Sequence, residues 1–288
     1  MASQRYSFQP AAVAYQLRWS LAIFPTEPIP HPSNWLEHLS LACEPDGIRV
    51  LEATNSPNGS LLLLLSTQPQ VKATTIVQRV KGRLQHLLRD QGGIAWRRNF
   101  RLSSVGDANL NTVEQYVANQ LGHHSMASTS VQQSLAELAW HDKTLDISQP
   151  VTSSHGQYAL GLHVVLVHAE RWRNANLRFV ELTRNGILAT LAHWNCAAAR
   201  IALLADHVHF TMRLSYEVSP SELILAVMNE VCDDHDGLRM WMEGFYVGTI
   251  GSYDMSAVRS VVNRASPESR ASIDARSKES REEESRSK

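Results

Sequence analysis

Apolar and polar residues alternate through residues 15–24 (YQLRWSLAIF), which predicts a strand stopped by Pro25. A Pro-rich turn follows, and residues 35–43 then repeat their apolar positions at helical spacing, with Ser33 or Asn34 as N-cap. Residues 48–54 and 61–66 read as strands around the turn 55–59 (NSPNG). Residues 71–89 form an amphipathic helical pattern, 94–105 an extended one, and 111–122 a second helix capped by Asn109 or Asn111 and stopped by Gly122. The order then repeats. Residues 158–168 predict a strand, 177–194 a helix, 196–204 and 207–214 two strands, and Ser219 or Ser221 caps a helix running to 231. Residues 241–248 are extended and 256–264 a short helix.

Strand–helix–strand–strand–helix–strand, twice, predicts an α+β protein of two tandem ferredoxin-like units, each with an extra C-terminal helix. Residues 105–117 also align without gaps on residues 250–262, pairing Gly106 with Gly251 and Tyr116 with Val261. The expected organisation is an N-terminal arm (1–14), a first domain (15–122), a linker (123–157) holding one helix at 131–140, a second domain (158–265) and a disordered tail (266–288).

At 288 residues the chain has room for two domains. Its longest apolar run, 61–65, is too short to span a bilayer, and its first residues lack a signal-peptide pattern. Cys43, Cys196 and Cys232 are far apart, with no CxxC pair. A reduced, cytoplasmic protein without structural zinc is expected. The net charge of −1 is unevenly spread. Lys72, Arg79, Lys81, Arg83, Arg89, Arg97, Arg98 and Arg101 face only Asp90 in their stretch, a pattern that suits a polyanion. A merely solvated basic helix explains charge alone equally well.

Two short patterns carry candidate chemistry. On a strand, His207 and His209 share a face, so two imidazoles can hold a divalent cation if a third ligand arrives from elsewhere. On a helix, Tyr116 and Gln120 lie one turn apart. A phenol of pKa ~10 needs help to act as a nucleophile. Each pattern by itself is commonplace. His123-His124 reads as a helix end, Asp233, Asp234 and Asp236 as a solvated turn, and Trp19, Trp35, Trp172, Trp194 and Trp241 as core or interface.

Taken together, the Tyr-rich opening strand, ADHVHF at 205–210, VKGRLQ at 80–85 and SVGDANLNTVEQYVANQLGHH at 104–124 resemble the single-tyrosine HUH transposases of simple insertion sequences and REP-associated elements. Members of that family place an H-hydrophobic-H pair on a central strand and a tyrosine, with Gln four residues on, on a C-terminal helix. They commonly work as dimers in which each tyrosine helix completes the partner's metal site. This chain departs from the pattern in a complementary way. At the first half's equivalent of the histidine motif stands Pro57-Asn58-Gly59-Ser60-Leu61, and in the second half Val261 and Ala265 replace the tyrosine and glutamine.

The resemblance therefore implies one composite site in an internal pseudo-dimer. His207, His209 and Gln120 would bind Mg²⁺ or Mn²⁺, and Tyr116 would form a 5′-phosphotyrosine with single-stranded DNA next to a hairpin. Lys72, Arg79, Lys81, Arg83, Arg97 and Arg98 would form the DNA face, with stacking on Trp96. One tyrosine per chain further implies sequential cleavage, a homodimer of two chains, or a domesticated role. No membrane partner is expected. Two other readings stand beside this one. The first is a catalytically silent DNA-hairpin binder. The second is a two-histidine phosphoesterase using His209-Phe210-Thr211, whose early partner His38-Leu39-Ser40 falls on a predicted helix.

Overall fold

A computed structural model describes residues 5–57, 59–89, 94–123, 129–169 and 176–251. The first half runs β1 (Ala14–Gln16), β2 (Arg18–Pro25), α1 (Leu36–Cys43), β3 (Ile48–Asn55), β4 (Leu61–Thr67), α2 (Ala73–Leu87) and β5 (Trp96–Val105). Then come α3 (Leu110–Ala118), α4 (Gln120–His123), α5 (Thr129–Leu138), β6 (Trp140–His141) and β7 (Val151–Thr152). The second half runs β8 (Gln157–Ala159), β9 (Gly161–Val167), α6 (Leu177–His193), β10 (Ala197–Leu203), β11 (His207–Arg213), α7 (Pro220–Asp234) and β12 (Tyr246–Ile250).

Two six-stranded sheets result, in the orders β3-β4-β2-β5-β8-β7 and β1-β12-β9-β11-β10-β6. If the four long strands of each half are numbered one to four along the chain, both sheets contain the order 2-3-1-4, all antiparallel. That is the ferredoxin-like arrangement the periodicity predicts, present twice.

The halves interlock by exchanging short strands. β1 leaves the first half to pair in parallel with β12, and β8 leaves the second half to pair in parallel with β5. The expected N-terminal arm is anchored in the same way. Tyr6 is 2% exposed, and its hydroxyl donates to the Trp241 carbonyl (3.0 Å) and accepts from the Trp241 amide (2.8 Å). Burial pushes this phenol up to about 12. Tyr6→Phe strands a buried N–H, so it is expected to cost about 1–3 kcal/mol, measurable by urea unfolding of the full chain.

Where β5 and β12 end, the two halves meet as near-copies. The Ser104 hydroxyl donates to the Ile250 carbonyl, and the Thr249 hydroxyl to the Val105 carbonyl. Each hydroxyl also accepts a backbone N–H, from Gly161 and from Arg18. The Gly106 amide donates to the Gly251 carbonyl (2.7 Å). A Cβ at Gly106 would enter the Thr249 carbonyl, and one at Gly251 the Ser104 carbonyl. The gapless alignment of 105–117 on 250–262 equates Val105 with Ile250 and Gly106 with Gly251, and the same offset pairs Ser104 with Thr249 just before it, so the duplication is written in hydrogen bonds as well as in topology.

The register corrects one sequence assignment. Arg18 lies opposite Val105 and Gly161 opposite Ile250, which makes β2 and β9 equivalent with Ala22 at the place of Val165. Ala22 pairs with Leu62, and Val165 with His209. The positions matching His207 and His209 are thus Ser60 and Leu62, one residue beyond the assignment to Gly59 and Leu61. Leu61 is fully buried in the core, as Val208 is, because a one-residue slip moves a side chain to the opposite face.

Other differences are local. Asp233 and Asp234 end α7 instead of lying in a turn, and Asp233 pairs with Arg5. The Ser219 cap is a full capping box with Glu222. The expected helix at 256–264, the tail, His124, Trp172, Val261 and Ala265 lie outside the described residues. No described helix is long and apolar enough to cross a membrane.

Candidate active site

β11 sorts its side chains by alternation. Val208, Phe210 and Met212 join the main core with residues of α6 and α7, which leaves His207, His209 and Thr211 on the other face. That face is covered by α3, which belongs to the first half in sequence but packs against β10 and β11 of the second. α3 begins where the Asn109 side chain accepts the Thr112 amide. Leu110 and Val113 pack beside Ile147, Ala199 and Ile250. The crossing at Gly106 and Gly251 delivers the helix there.

One helical turn after Val113, Tyr116 reaches the histidines. Its ring meets His209 edge-on with centroids 5.8 Å apart, and His163 edge-on at 6.1 Å. Tyr116, His163, His209, Asp107, Thr112 and Tyr246 line one cavity of about 520 Å³. Tyr116 is half exposed, whereas His209 is 5% exposed. A phenol thus stands at the open mouth of the cavity and an imidazole at its wall.

Each histidine of the pair is held through Nδ1. His207 Nδ1 lies 2.7 Å from the Asp206 carboxylate, and His209 Nδ1 lies 3.1 Å from His163 Nε2. The Asp206 carboxylate can only accept, so the Nδ1 proton of neutral His207 sits there and its Nε2 carries the lone pair, the usual arrangement of a metal-binding imidazole, whereas the bond between His209 and His163 can run in either direction. The two rings are 4.9 Å apart between centroids.

Gln120 does not join them. α3 ends at Ala118, and Asn119 (φ −92°, ψ 0°) breaks the helix before α4 starts at Gln120. Tyr116 and Gln120 therefore do not share one continuous helical face. Gln120 is 2% exposed, and its amide donates to the Tyr116 carbonyl (3.3 Å) without lining the cavity. Among the described residues, no three His, Cys, Asp or Glu side chains form a metal-holding group. The nitrogen donors present are the two imidazoles of His207 and His209, so a cation held there would need its remaining ligands from elsewhere. That donor set is richer in nitrogen than Mg²⁺ prefers and better suited to Mn²⁺.

The basic stretch is not one open face either. Lys72 pairs with Glu222 (3.1 Å), and Arg79 and Arg83 both pair with Asp46 (3.4 and 3.1 Å). The Lys81 ammonium donates to the carbonyls of Arg97, Arg98 and Asn99. These partners come from α7, from the loop before β3 and from β5, contacts that no local pattern reveals. Arg97 and Arg98 are exposed at the start of β5.

His163 is the site residue that motif reading missed. Its signal was a single polar residue in the apolar strand GLHVVLV, on the face that faces α3. Burial lowers its pKa to about 4, so the imidazole is neutral near pH 7. The folded value lies below the ordinary one near 6.5, so the unfolded chain takes up the proton first. This contribution to stability is fully present above pH 6.5 and is lost as pH falls towards 4, about 3 kcal/mol at most. His163→Leu is expected to flatten the stability curve between pH 6.5 and 4, read by denaturant midpoints. It should also free the His209 ring, read as a changed ¹⁵N imidazole tautomer signal. An unchanged pH slope together with an unchanged tautomer signal would remove His163 from this role.

Comparison with known proteins agrees with the resemblance on part of the chain. The family model described as "Transposase IS200 like" matches residues 33–120, a stretch that ends on Gln120 and contains Tyr116. Among curated proteins, none matches the sequence. One matching solved structure is "Structure of the REP associates tyrosine transposase bound to a REP hairpin". It is 13% identical, with a TM-score of 0.28 over 35% of this chain and 61% of that one. Residues 33–120, which deliver Tyr116 to the histidine-bearing sheet, are thus similar to the IS200-like transposases, over less than half of the chain.

Proposed function

We propose that this chain cleaves and rejoins single-stranded DNA through Tyr116, at one composite site, beside a hairpin. One observation carries the reading. Tyr116 from the first half and His209 from the second share a cavity with their rings 5.8 Å apart, within a single chain. A tandem of two IS200-like units needs one live site, and the tyrosine retained in the first half meets a histidine retained in the second.

The Tyr116 oxygen attacks the phosphorus, a new O–P bond forms, and the bond to the 3′ oxygen breaks. The phenol proton is lost and the departing oxygen gains one, so the products are a 5′-phosphotyrosine and a 3′-hydroxyl. Because one ester replaces another, a later 3′-hydroxyl can reverse the step without ATP. His207 and His209 are the residues that would hold a divalent cation, which when bound neutralises charge on the phosphate oxygens. Asp206 keeps the His207 ring in the ligating tautomer, His163 holds the His209 ring through a hydrogen bond, and the wall of β9 and β11 beside Tyr116 limits how the backbone can approach.

The test is a 5′- or 3′-labelled oligonucleotide carrying a hairpin and single-stranded flanks, incubated with the full chain and Mn²⁺. An SDS-resistant adduct whose peptide maps to Tyr116 is expected. No adduct across a panel of hairpins, with binding retained, would favour the silent hairpin binder. The phosphoesterase reading loses ground in the fold, because His38 lies on α1 and is exposed outside the cavity.

A further inference from the structure

The duplication made one groove twice, and the two copies have opposite chemistry. Register places Trp96 with Trp241, Phe100 with Phe245 and Arg101 with Tyr246, through the pairs Arg101–Gln157 and Tyr246–Ala14. Beside the start of β12 and β1, a groove of about 830 Å³ is lined by Ala12, Ala14, Val167, Met242 and Phe245. Its one arginine, Arg239, is paired with Glu243. At the equivalent place beside β5 and β8, a groove of about 660 Å³ is lined instead by Arg98, Asn99, Arg101, Ser154 and His155.

We infer that this first-half groove holds the phosphodiester backbone of nucleic acid, with Arg98 and Arg101 as its charged contacts. The inference rests on the DNA reading above and gives it a place. Both arginines are exposed, and neither has a carboxylate partner among the described residues. Most of the remaining basic stretch is already engaged, as described. No Asp or Glu lines the groove. The opposite wall is the tight turn in which Ser153 N–H and hydroxyl both bond the Gly156 carbonyl. A Cβ at Gly156 would run into the Phe100 ring, so glycine lets this turn lie directly on β5 and brings Ser154 and His155 beside the arginines. Behind the strand, the Lys81 ammonium grips the carbonyls of Arg97, Arg98 and Asn99, which fixes the backbone bearing Arg98 and adds positive charge. Phe24 and Phe100 supply an apolar floor suited to sugar or base.

The experiment is fluorescence anisotropy of a labelled DNA hairpin with single-stranded flanks, titrated with the full chain from 50 to 300 mM KCl. Arg98→Gln with Arg101→Gln is compared with Arg79→Gln with Arg83→Gln, which removes equal charge from the residues held by Asp46. The first pair is expected to weaken binding roughly tenfold near 100 mM salt and to lower the slope of log K against log salt by about 2. The second pair should change affinity by less than about twofold. Equal losses from both pairs, or wild-type affinity and slope in the first pair, would overturn the groove while leaving DNA binding intact. A wild-type chain that binds neither hairpin, single strand nor duplex overturns the DNA reading itself. Melting temperatures of both pairs, matched to wild type, show that folding is not what changed.

Discussion

Tyr116→Phe is expected to abolish the covalent DNA adduct, a loss of at least ~10³-fold, while leaving hairpin affinity and fold in place. The ring would keep its edge contacts with His163 and His209, and only a half-exposed hydroxyl disappears, so stability should stay within about 0.5 kcal/mol of wild type. The cavity contains a second phenol, which makes the prediction sharper. Tyr246 also faces His163, at 5.8 Å between centroids. Burial raises its pKa, and the Asp107 carboxylate and Tyr116 raise it further, so its nucleophilic form is harder to reach. Tyr246→Phe should therefore retain the adduct. An adduct surviving in Tyr116→Phe and lost in Tyr246→Phe would reverse the assignment.

Gly106→Val is expected to destabilise the chain by about 3 kcal/mol and to silence the site as well. The Cβ would be driven into the Thr249 carbonyl, and backbone on both sides is fixed by the Gly106–Gly251 hydrogen bond and the Ser104 and Thr249 hydroxyls. Relief requires β5 and β12 to part where α3 is launched across to the histidine sheet. Urea unfolding and adduct yield should fall together. Gly82→Ala on α2 is the control, because a Cβ there meets nothing within 4 Å. A Gly106→Val chain with full stability would show that the crossing does not position α3.

Much of the fold was legible because it depends on local periodicity. The alternation in β2, β4 and β9, the helical spacing of α2 and α6, and the Asn109 and Ser219 caps all follow from short-range rules. The exchange of α3 was legible for a different reason. The gapless match of 105–117 to 250–262 exposed the duplication, and the resemblance to a dimeric family supplied the idea of a shared site. Gln120 was misread because the break at Asn119 is a matter of how the chain turns off sheet and helix, and YVANQ scans as unbroken helix. His163 was passed over because a lone histidine in an apolar strand gains meaning only from the diagonal neighbour across the sheet.

The sequence by itself determined the α+β class and the duplicated order of elements, since both rest on periodicity within short windows, while Tyr116, His207 and His209 became candidates only through the family resemblance. Tertiary structure alone decided which of these residues meet. It set the strand register that puts Ser60 and Leu62 where His207 and His209 stand in the other half, and it brought Tyr116 to His209 across the glycine crossing. It also decided that Lys72, Arg79 and Arg83 are paired with Glu222 and Asp46 and that Lys81 is held by backbone carbonyls, while Arg97, Arg98 and Arg101 stay exposed. The physical reason is common to all of these. Periodicity fixes the face on which a side chain lies, but pairing between distant strands and helices fixes what that face confronts.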